Sequence, residues 1–144
     1  MAAPPDPGMI VQGRRFLSPA EALPLLLGGA VLVDLRSDQL REMKAFLVPE
    51  VVSLPHPVDP ARARTLPGDR LLILADSSGV YTRPAAAVLE ALGFGQLACL
   101  NGGMLAWDQA GLPLATDPAT LLQGDCACVL RSQRDRAAAK PATP

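Results

Sequence analysis

Short runs of consecutive apolar residues constrain the fold of this 144-residue chain more than any other feature. Residues 30–35, interrupted only by Asp34, and residues 71–75 form the two clearest runs, and residues 50–54 and 97–100 are predicted to be two further short strands. Apolar runs of this length, without alternating polar residues, are typical of strands buried on both faces of a parallel sheet. Helical patterns lie between them, so the sequence predicts an α/β domain: a central parallel sheet of four to five strands with helices on both faces, in three layers.

Start and stop signals place the helices between these strands. Ser18-Pro19-Ala20-Glu21 predicts a capped helix start, in which Ser18 and Glu21 form a capping box. Further helices are predicted at residues 38–46, 57–66 and 104–110. Thr82 is expected to cap another helix at residues 83–92, and Met9–Val11 is a candidate edge strand.

Composition and charge exclude some classes of partner. The formal net charge is −1, so we expect neither nucleic acid nor a membrane surface as partner. No apolar run reaches the length of a membrane span, and no secretory signal is recognisable at the N-terminus. The odd number of cysteines, three, indicates a reducing compartment rather than a disulfide framework, and the chain is expected in a bacterial cytoplasm.

An ordered set of motifs then resembles a known family, the rhodanese-like domains of the sulfurtransferase superfamily. The resemblance covers about residues 16–114, and its strength lies in the order and spacing of the pieces. These are Ser18-Pro19-Ala20-Glu21, Val33-Asp34-Leu35-Arg36, Gly93-Phe94, Gly102-Gly103, Ala106-Trp107 and Gly111-Leu112-Pro113. The resemblance implies a rhodanese-like three-layer fold and a functional loop directly after the third predicted strand of the core.

The chain departs from the family in that loop. The family pattern is Cys-x-x-Gly-x-Arg-Ser/Thr, whereas this chain reads Asp76-Ser77-Ser78-Gly79-Val80-Tyr81-Thr82. Gly79 and Thr82 match, Asp76 stands at the position of the sulfur-carrying cysteine, and Tyr81 replaces the arginine. Upstream, only Pro49 remains of the family's Gly-His-Ile-Pro-Gly-Ala stretch. The resemblance therefore implies a conserved framework around an altered chemical centre.

The family loop turns its backbone N–H groups inward at a helix N-terminus, which favours an anion and lowers the pKa of a cysteine placed there. Asp76 suits that environment but cannot carry a sulfane sulfur. It could be an aspartyl nucleophile, although the metal ligands or second aspartate that this needs are lacking in the loop, or it could cap the loop without turnover. A phosphatase-type site needs a cysteine and an arginine six positions later, where this chain has Asp76 and Thr82.

Six residues outside the loop have predicted roles. Asp34 and Arg36 are expected to support the loop or the scaffold as a salt bridge, and Arg83 is expected near the mouth of the loop. His56 is predicted to be a surface residue, and Cys99 is predicted to be an inert core thiol. Trp107 resembles the structural tryptophan of the family.

The C-terminal segment contains a Cys-x-Cys pair, Cys126 and Cys128, followed by basic residues. The pair is a possible redox couple or sulfur acceptor able to reach the loop, or it has no function. Two thiolates are too few for a closed zinc site, so no metal is expected. The predicted organisation is an N-terminal tail at residues 1–15, a rhodanese-like domain at 16–115 and a C-terminal tail at 116–144.

These observations favour a non-catalytic rhodanese-like domain that binds a protein partner or a small anion, with no cofactor and no catalytic residue. The alternative is a sulfurtransferase that uses Cys126 or Cys128 as its sulfur carrier. The sequence does not indicate an oligomeric state.

Overall fold

The structure, a computed structural model of the chain, describes residues 8–116. Its centre is a sheet of six strands, which in spatial order are β1 (Met9–Val11), β2 (Arg14–Leu17), β7 (Leu97–Leu100), β6 (Leu72–Ala75), β3 (Val31–Asp34) and β5 (Val51–Ser53). Strand β1 pairs antiparallel with β2, and the other four pairings are parallel. The predicted parallel sheet of four to five strands is confirmed, with an antiparallel edge strand added.

Alternating side chains of the central strands divide the interior into two cores. Leu32 and Ile73 belong to one buried cluster, together with Trp107. Their neighbours Val33 and Leu74 belong to the other. Because successive side chains point to opposite faces of a strand, each central strand supplies both cores, and this explains why β6 is wholly apolar and β3 is apolar except for Asp34 at its end.

Five helices lie around the sheet: α1 (Pro19–Leu27), α2 (Asp38–Met43), α3 (Pro60–Ala63), α4 (Thr82–Ala91) and α5 (Gly103–Gln109). The first core takes buried residues from α1 and α5, and the second takes them from α3 and α4. The capping box predicted for α1 is confirmed, since the Ser18 hydroxyl accepts from the Glu21 N–H at 3.1 Å and Glu21 accepts from the Ser18 N–H at 2.9 Å. None of the helices in residues 8–116 has the length and apolar character that a membrane crossing requires.

The N-terminal boundary differs from the prediction. The candidate edge strand at Met9–Val11 is confirmed as β1, but it forms a β-hairpin with β2, so residues 9–15 do not lie in a tail and the domain boundary predicted at residue 16 falls inside β2. The hairpin turns at Gln12 and Gly13, which both have positive φ. Pairing between β2 and β7 is short, with only Phe16 opposite Cys99 and Leu17 opposite Leu100.

A second sheet of two strands was not predicted. Strand β4 (Lys44–Phe46) pairs antiparallel with β8 (Leu114–Thr116), so the helix predicted at residues 38–46 ends at Met43 instead. The partner strand lies about 70 residues later in the chain, and a local pattern cannot reveal such a distant partner. Both strands pack near the buried Trp107, whose Nε1–H donates to the Pro113 carbonyl at 2.7 Å and whose ring meets Phe46 edge to face at 5.3 Å.

Replacing Trp107 tests this corner of the fold. Trp107→Phe removes the Nε1–H donor and leaves unfilled volume in the core, so we expect the free energy of unfolding to fall by about 1–3 kcal/mol. Urea denaturation followed by circular dichroism measures the change. Leu27→Ala, at an exposed position of α1, is the matched control and should change stability by less than about 0.5 kcal/mol. Equal effects of the two substitutions would contradict a structural role for the indole.

Candidate functional site

The candidate site lies where the parallel strands end. Asp34, Ser53 and Ala75 occupy matched positions in three adjacent strands, so the segments that follow β3, β5 and β6 meet at one edge of the sheet. Backbone hydrogen bonds continue past the strand ends, from the Leu35 N–H to the Ala75 carbonyl at 2.8 Å and from the His56 N–H to the Leu35 carbonyl at 2.9 Å. This edge is where open α/β sheets usually bind ligands.

The loop after β6 is organised around the carboxylate of Asp76. One carboxylate oxygen accepts the Gly79 N–H, and the other accepts the Tyr81 N–H at 2.6 Å. Asp76 is 2% exposed. The carboxylate thus fills the space towards which the loop points its N–H groups, at the entrance to α4, where backbone dipoles favour negative charge.

Helix α5 holds the outer side of the loop backbone. The Met104 N–H donates to the Asp76 carbonyl at 2.8 Å, and the Leu105 N–H donates to the Ser77 carbonyl at 3.0 Å. Gly103 makes this contact possible, since a Cβ there would lie 2.4 Å from the Asp76 carbonyl oxygen, and its φ is +59°. The carbonyl groups are therefore turned towards α5 while the N–H groups face the Asp76 carboxylate.

The predicted cap of α4 is wrong. The helix begins at Thr82, Tyr81 occupies the N-cap position, and its side chain makes no capping hydrogen bond. The Thr82 hydroxyl is buried and donates to the Gly79 carbonyl at 3.3 Å. Asp76, five residues before Tyr81, supplies the acceptor at the helix entrance that Thr82 was expected to supply.

Asp34 and Arg36 form the predicted salt bridge. The Arg36 Nε–H donates to Asp34 Oδ1 at 3.0 Å and the Nη2–H donates to Oδ2 at 2.8 Å, with both residues buried. The guanidinium also lies 5.2 Å from the ring centre of Phe46, and Arg41 approaches Asp34 at 3.9 Å. Neither side chain makes a hydrogen bond or ion pair with residues 76–82, so the pair acts on the end of β3 and supports the loop indirectly.

Two residues of the site have contacts that differ from expectation. His56 is exposed, as predicted, but its ring stacks on that of Tyr81, with 4.3 Å between the ring centres. No local signal links two residues 25 positions apart. Arg83 lies in the first turn of α4, but its guanidinium bonds Gln12 at 2.8 Å and lies 5.0 Å from the ring centre of Phe16. Its predicted supporting place at the mouth of the loop is therefore wrong, because the hairpin, which was not predicted, attracts it.

The buried thiol of Cys99 lies behind the loop. Burial raises its pKa, while a hydrogen bond with Thr82 acts in the opposite direction. A thiol that stays protonated at neutral pH is a poor nucleophile, and this agrees with the inert core thiol that the sequence predicts. Cys126 and Cys128 lie outside the described residues, which include only residue 116 of the tail predicted at 116–144.

Comparison with known proteins identifies the family. A sulfurtransferase from Allochromatium vinosum is 33% identical over 84 residues, which cover 58% of this chain and 77% of the relative. The chain belongs to the rhodanese-like superfamily. No protein-family model matches it.

Solved structures show the same fold. The polysulfide-sulfur transferase homodimer of Wolinella succinogenes superposes with a TM-score of 0.63 at 22% identity, covering 73% of this chain and 80% of the other. A rhodanese-like domain from Anabaena gives the same TM-score at 19% identity, covering 74% and 83%. The rhodanese-like domain described here thus keeps the family framework around a loop that contains Asp76.

The chemistry open to this loop is limited. Both oxygens of the Asp76 carboxylate accept backbone N–H groups, and the loop contains no thiol, imidazole or second carboxylate. Within residues 8–116 there is also no cluster of three or more histidine, cysteine, aspartate or glutamate side chains that could hold a metal ion. The geometry suits a fixed, internally bound anion better than a reacting group.

Adding one methyl group at Gly103 should disturb the loop. In Gly103→Ala the Cβ meets the loop backbone and the positive φ becomes unfavourable, so we expect a loss of about 2 kcal/mol or more in unfolding free energy. NMR amide shifts of residues 76–82 should also move. Gly95→Ala is the control, because its Cβ meets nothing within 4 Å, and it should change stability by less than about 1 kcal/mol. An unmoved loop in Gly103→Ala would contradict the close packing.

The raised pKa of Cys99 predicts its reactivity. Because only the thiolate reacts readily, native Cys99 should resist iodoacetamide at pH 7, and its alkylation should begin at higher pH than that of a free cysteine. Mass spectrometry of a Cys126→Ser/Cys128→Ser double variant isolates this thiol, and the same protein in urea gives the unprotected rate. Rapid native alkylation at pH 7 would show that the thiol is accessible and ionised.

Proposed function

We propose that this rhodanese-like domain is a non-catalytic binding or regulatory module. The carrying observation is the Asp76 carboxylate, which occupies the loop's N–H groups at the position where the family pattern has a cysteine. A carboxylate forms no persulfide, so the loop has no group that could accept a sulfane sulfur. The framework that shapes the loop is nevertheless retained, and this favours a binding role.

A role for Asp76 as a nucleophile is less well supported. Both oxygens of the buried Asp76 carboxylate already accept backbone N–H groups, so the lone pairs that an attacking nucleophile needs are engaged in hydrogen bonds. Asp34, the acidic residue at the end of the adjacent strand β3, is bonded to Arg36. These contacts favour a structural anion, and a protein partner is the expected ligand.

A reducing, cytoplasmic setting is also proposed. The basis is the odd number of cysteines in the sequence and the buried, unpaired thiol of Cys99. Proteins of oxidising compartments usually have an even number of cysteines paired in disulfides, and this cysteine content does not fit that pattern.

The second candidate is a sulfurtransferase that carries sulfur on Cys126 or Cys128. Its support is the family relationship, since the relative from Allochromatium vinosum is named a sulfurtransferase. Both cysteines lie outside the described residues, and an activity assay distinguishes the two functions.

A thiosulfate:cyanide sulfurtransferase assay tests the proposal. We expect the full chain to show only background turnover, and a Cys126→Ser/Cys128→Ser variant to match it. Turnover in the full chain that disappears in the double variant would support the second candidate and overturn the first. If turnover persists in the double variant but is lost in Asp76→Asn, then Asp76 itself takes part in the reaction.

Restoring the missing thiol tests whether the loop still favours an anion. In Asp76→Cys, on a background with the three native cysteines replaced by serine, the introduced thiol should titrate below the usual value of about 8.5, because the Gly79 and Tyr81 N–H groups stabilise a thiolate. It should form some persulfide with thiosulfate, and Tyr81→Arg should increase the yield by adding positive charge. An ordinary thiol pKa would mean that the N–H groups no longer converge.

A further inference from the structure

A cavity of about 430 Å³ lies between the β1–β2 hairpin, α4 and β7, and no residue of the loop at 76–82 lines it. Its volume falls in the range of pockets that take one small molecule. We propose that this cavity binds a small organic anion with an apolar body, such as a medium-chain carboxylate. The proposal concerns a second site and does not depend on the function proposed for the loop.

The cavity exists because β2 pairs with only part of β7. The pairing begins at Phe16, which lies opposite Cys99. Continued backwards by two residues, the same register would place Arg14 opposite Leu97, but no pair forms there and both residues line the cavity. The hairpin and the edge of β7 therefore form two walls of the cavity, and α4 forms the third.

Apolar residues from all three walls face this space. Ile10 of β1 is 62% exposed, and Ala86 belongs to α4. Phe94 and Leu97 pack against the second core but are only partly buried. An aliphatic or aromatic ligand body would cover these groups and remove apolar surface from water, which is favourable in proportion to the area covered.

Arg83 supplies a positive charge beside the cavity. Its guanidinium donates to the Gln12 side chain at 2.8 Å and lies 5.0 Å from the ring centre of Phe16. Both of these contacts are neutral, so the guanidinium keeps its charge. Gln12 adjoins Gly13, and Phe16 lies opposite Cys99, and both Gly13 and Cys99 line the cavity.

The charges around the cavity favour an anion. At the rim, Arg14 and Glu90 form an ion pair at 2.8 Å, so their charges offset each other and the charge of Arg83 is left over. The Cys99 thiol reports the same balance: burial is the main influence and raises its pKa, but among the charged groups Arg14 and Arg83 lower the pKa and Asp76 raises it less. A positive potential inside a partly enclosed space attracts the charged end of an organic anion.

A ligand titration followed by amide NMR tests the proposal on the full chain. The probes are octanoate, octanamide, which has the same chain without the charge, and octylamine, which is cationic at neutral pH. We expect octanoate to give saturable shifts of the Gly13, Gly95 and Ala98 signals, which report on the cavity lining. Octanamide should bind at least about threefold more weakly, and salt should weaken octanoate more than octanamide.

Two substitutions separate the charge from the apolar wall. Arg83→Gln removes the charge and should remove most of the preference for octanoate over octanamide. Ile10→Ser removes apolar surface and should weaken both ligands about twofold or more. The controls should leave both affinities unchanged: Arg64→Gln changes an exposed arginine that does not line the cavity, and Leu27→Ser changes a side chain that is 62% exposed, as Ile10 is. If a variant fails to fold, the three ligands compared on the unchanged chain still decide the matter.

Three results would overturn the anion site. Equal affinity for octanoate and octanamide, or tighter binding of octylamine, would mean that the cavity does not select a negative charge. Octanoate shifts confined to residues 76–82 would place the ligand at the loop. Absence of saturable shifts with every probe would mean that the cavity takes no molecule of this class. None of these results implies sulfur transfer, so the proposed function fails separately, through turnover in the sulfurtransferase assay.

Discussion

The conformation of the loop after β6 depends on hydrogen-bond acceptors for its own inward-facing N–H groups. Groups of this kind, directed into a buried space at a helix entrance, are costly without an acceptor. Asp76 provides one from within the chain, while α5 binds the loop's carbonyl groups from outside. The loop can therefore keep its conformation without a bound ligand, because the Asp76 carboxylate already accepts the Gly79 and Tyr81 N–H groups.

The same arrangement explains how the rhodanese-like framework holds the loop that contains Asp76. Gly103 permits the close approach of α5 to the loop, and the Thr82 hydroxyl donates a hydrogen bond to the Gly79 carbonyl. Both contacts involve the loop backbone. They therefore do not depend on which side chain residue 76 has, provided that this side chain fits the space. An aspartate at this position accepts the N–H groups that would face a thiolate there.

Local sequence signals predicted the centre of the fold well, and they predicted its margins poorly. Residues 30–35 and 71–75 identified buried strands because burial on both faces leaves a direct mark on composition. The loop's position and the place of Asp76 followed from the family resemblance. The β4–β8 pair escaped prediction because each strand has only three residues, and each depends on a partner far along the chain.

Side-chain partners across the site were the least predictable part. The stacking of His56 on Tyr81 and the contact of Arg83 with Gln12 join segments that no sequence pattern connects. In both cases a backbone feature decided the outcome: the shared sheet edge brought the two rings together, and the hairpin drew the arginine away. The mouth of the loop consequently has an aromatic surface where an arginine had been expected.

The division of the interior into two cores has a consequence for how the domain tolerates substitution. Ile73 and Leu74 are neighbours in β6, yet their side chains lie in different clusters on opposite faces of the sheet. Energetic coupling between substitutions requires contact or shared partners, and the sheet separates these two side chains. Changes at the two positions should therefore combine almost additively, as if they were remote from each other. The domain can then vary one layer in evolution without compensating changes in the other.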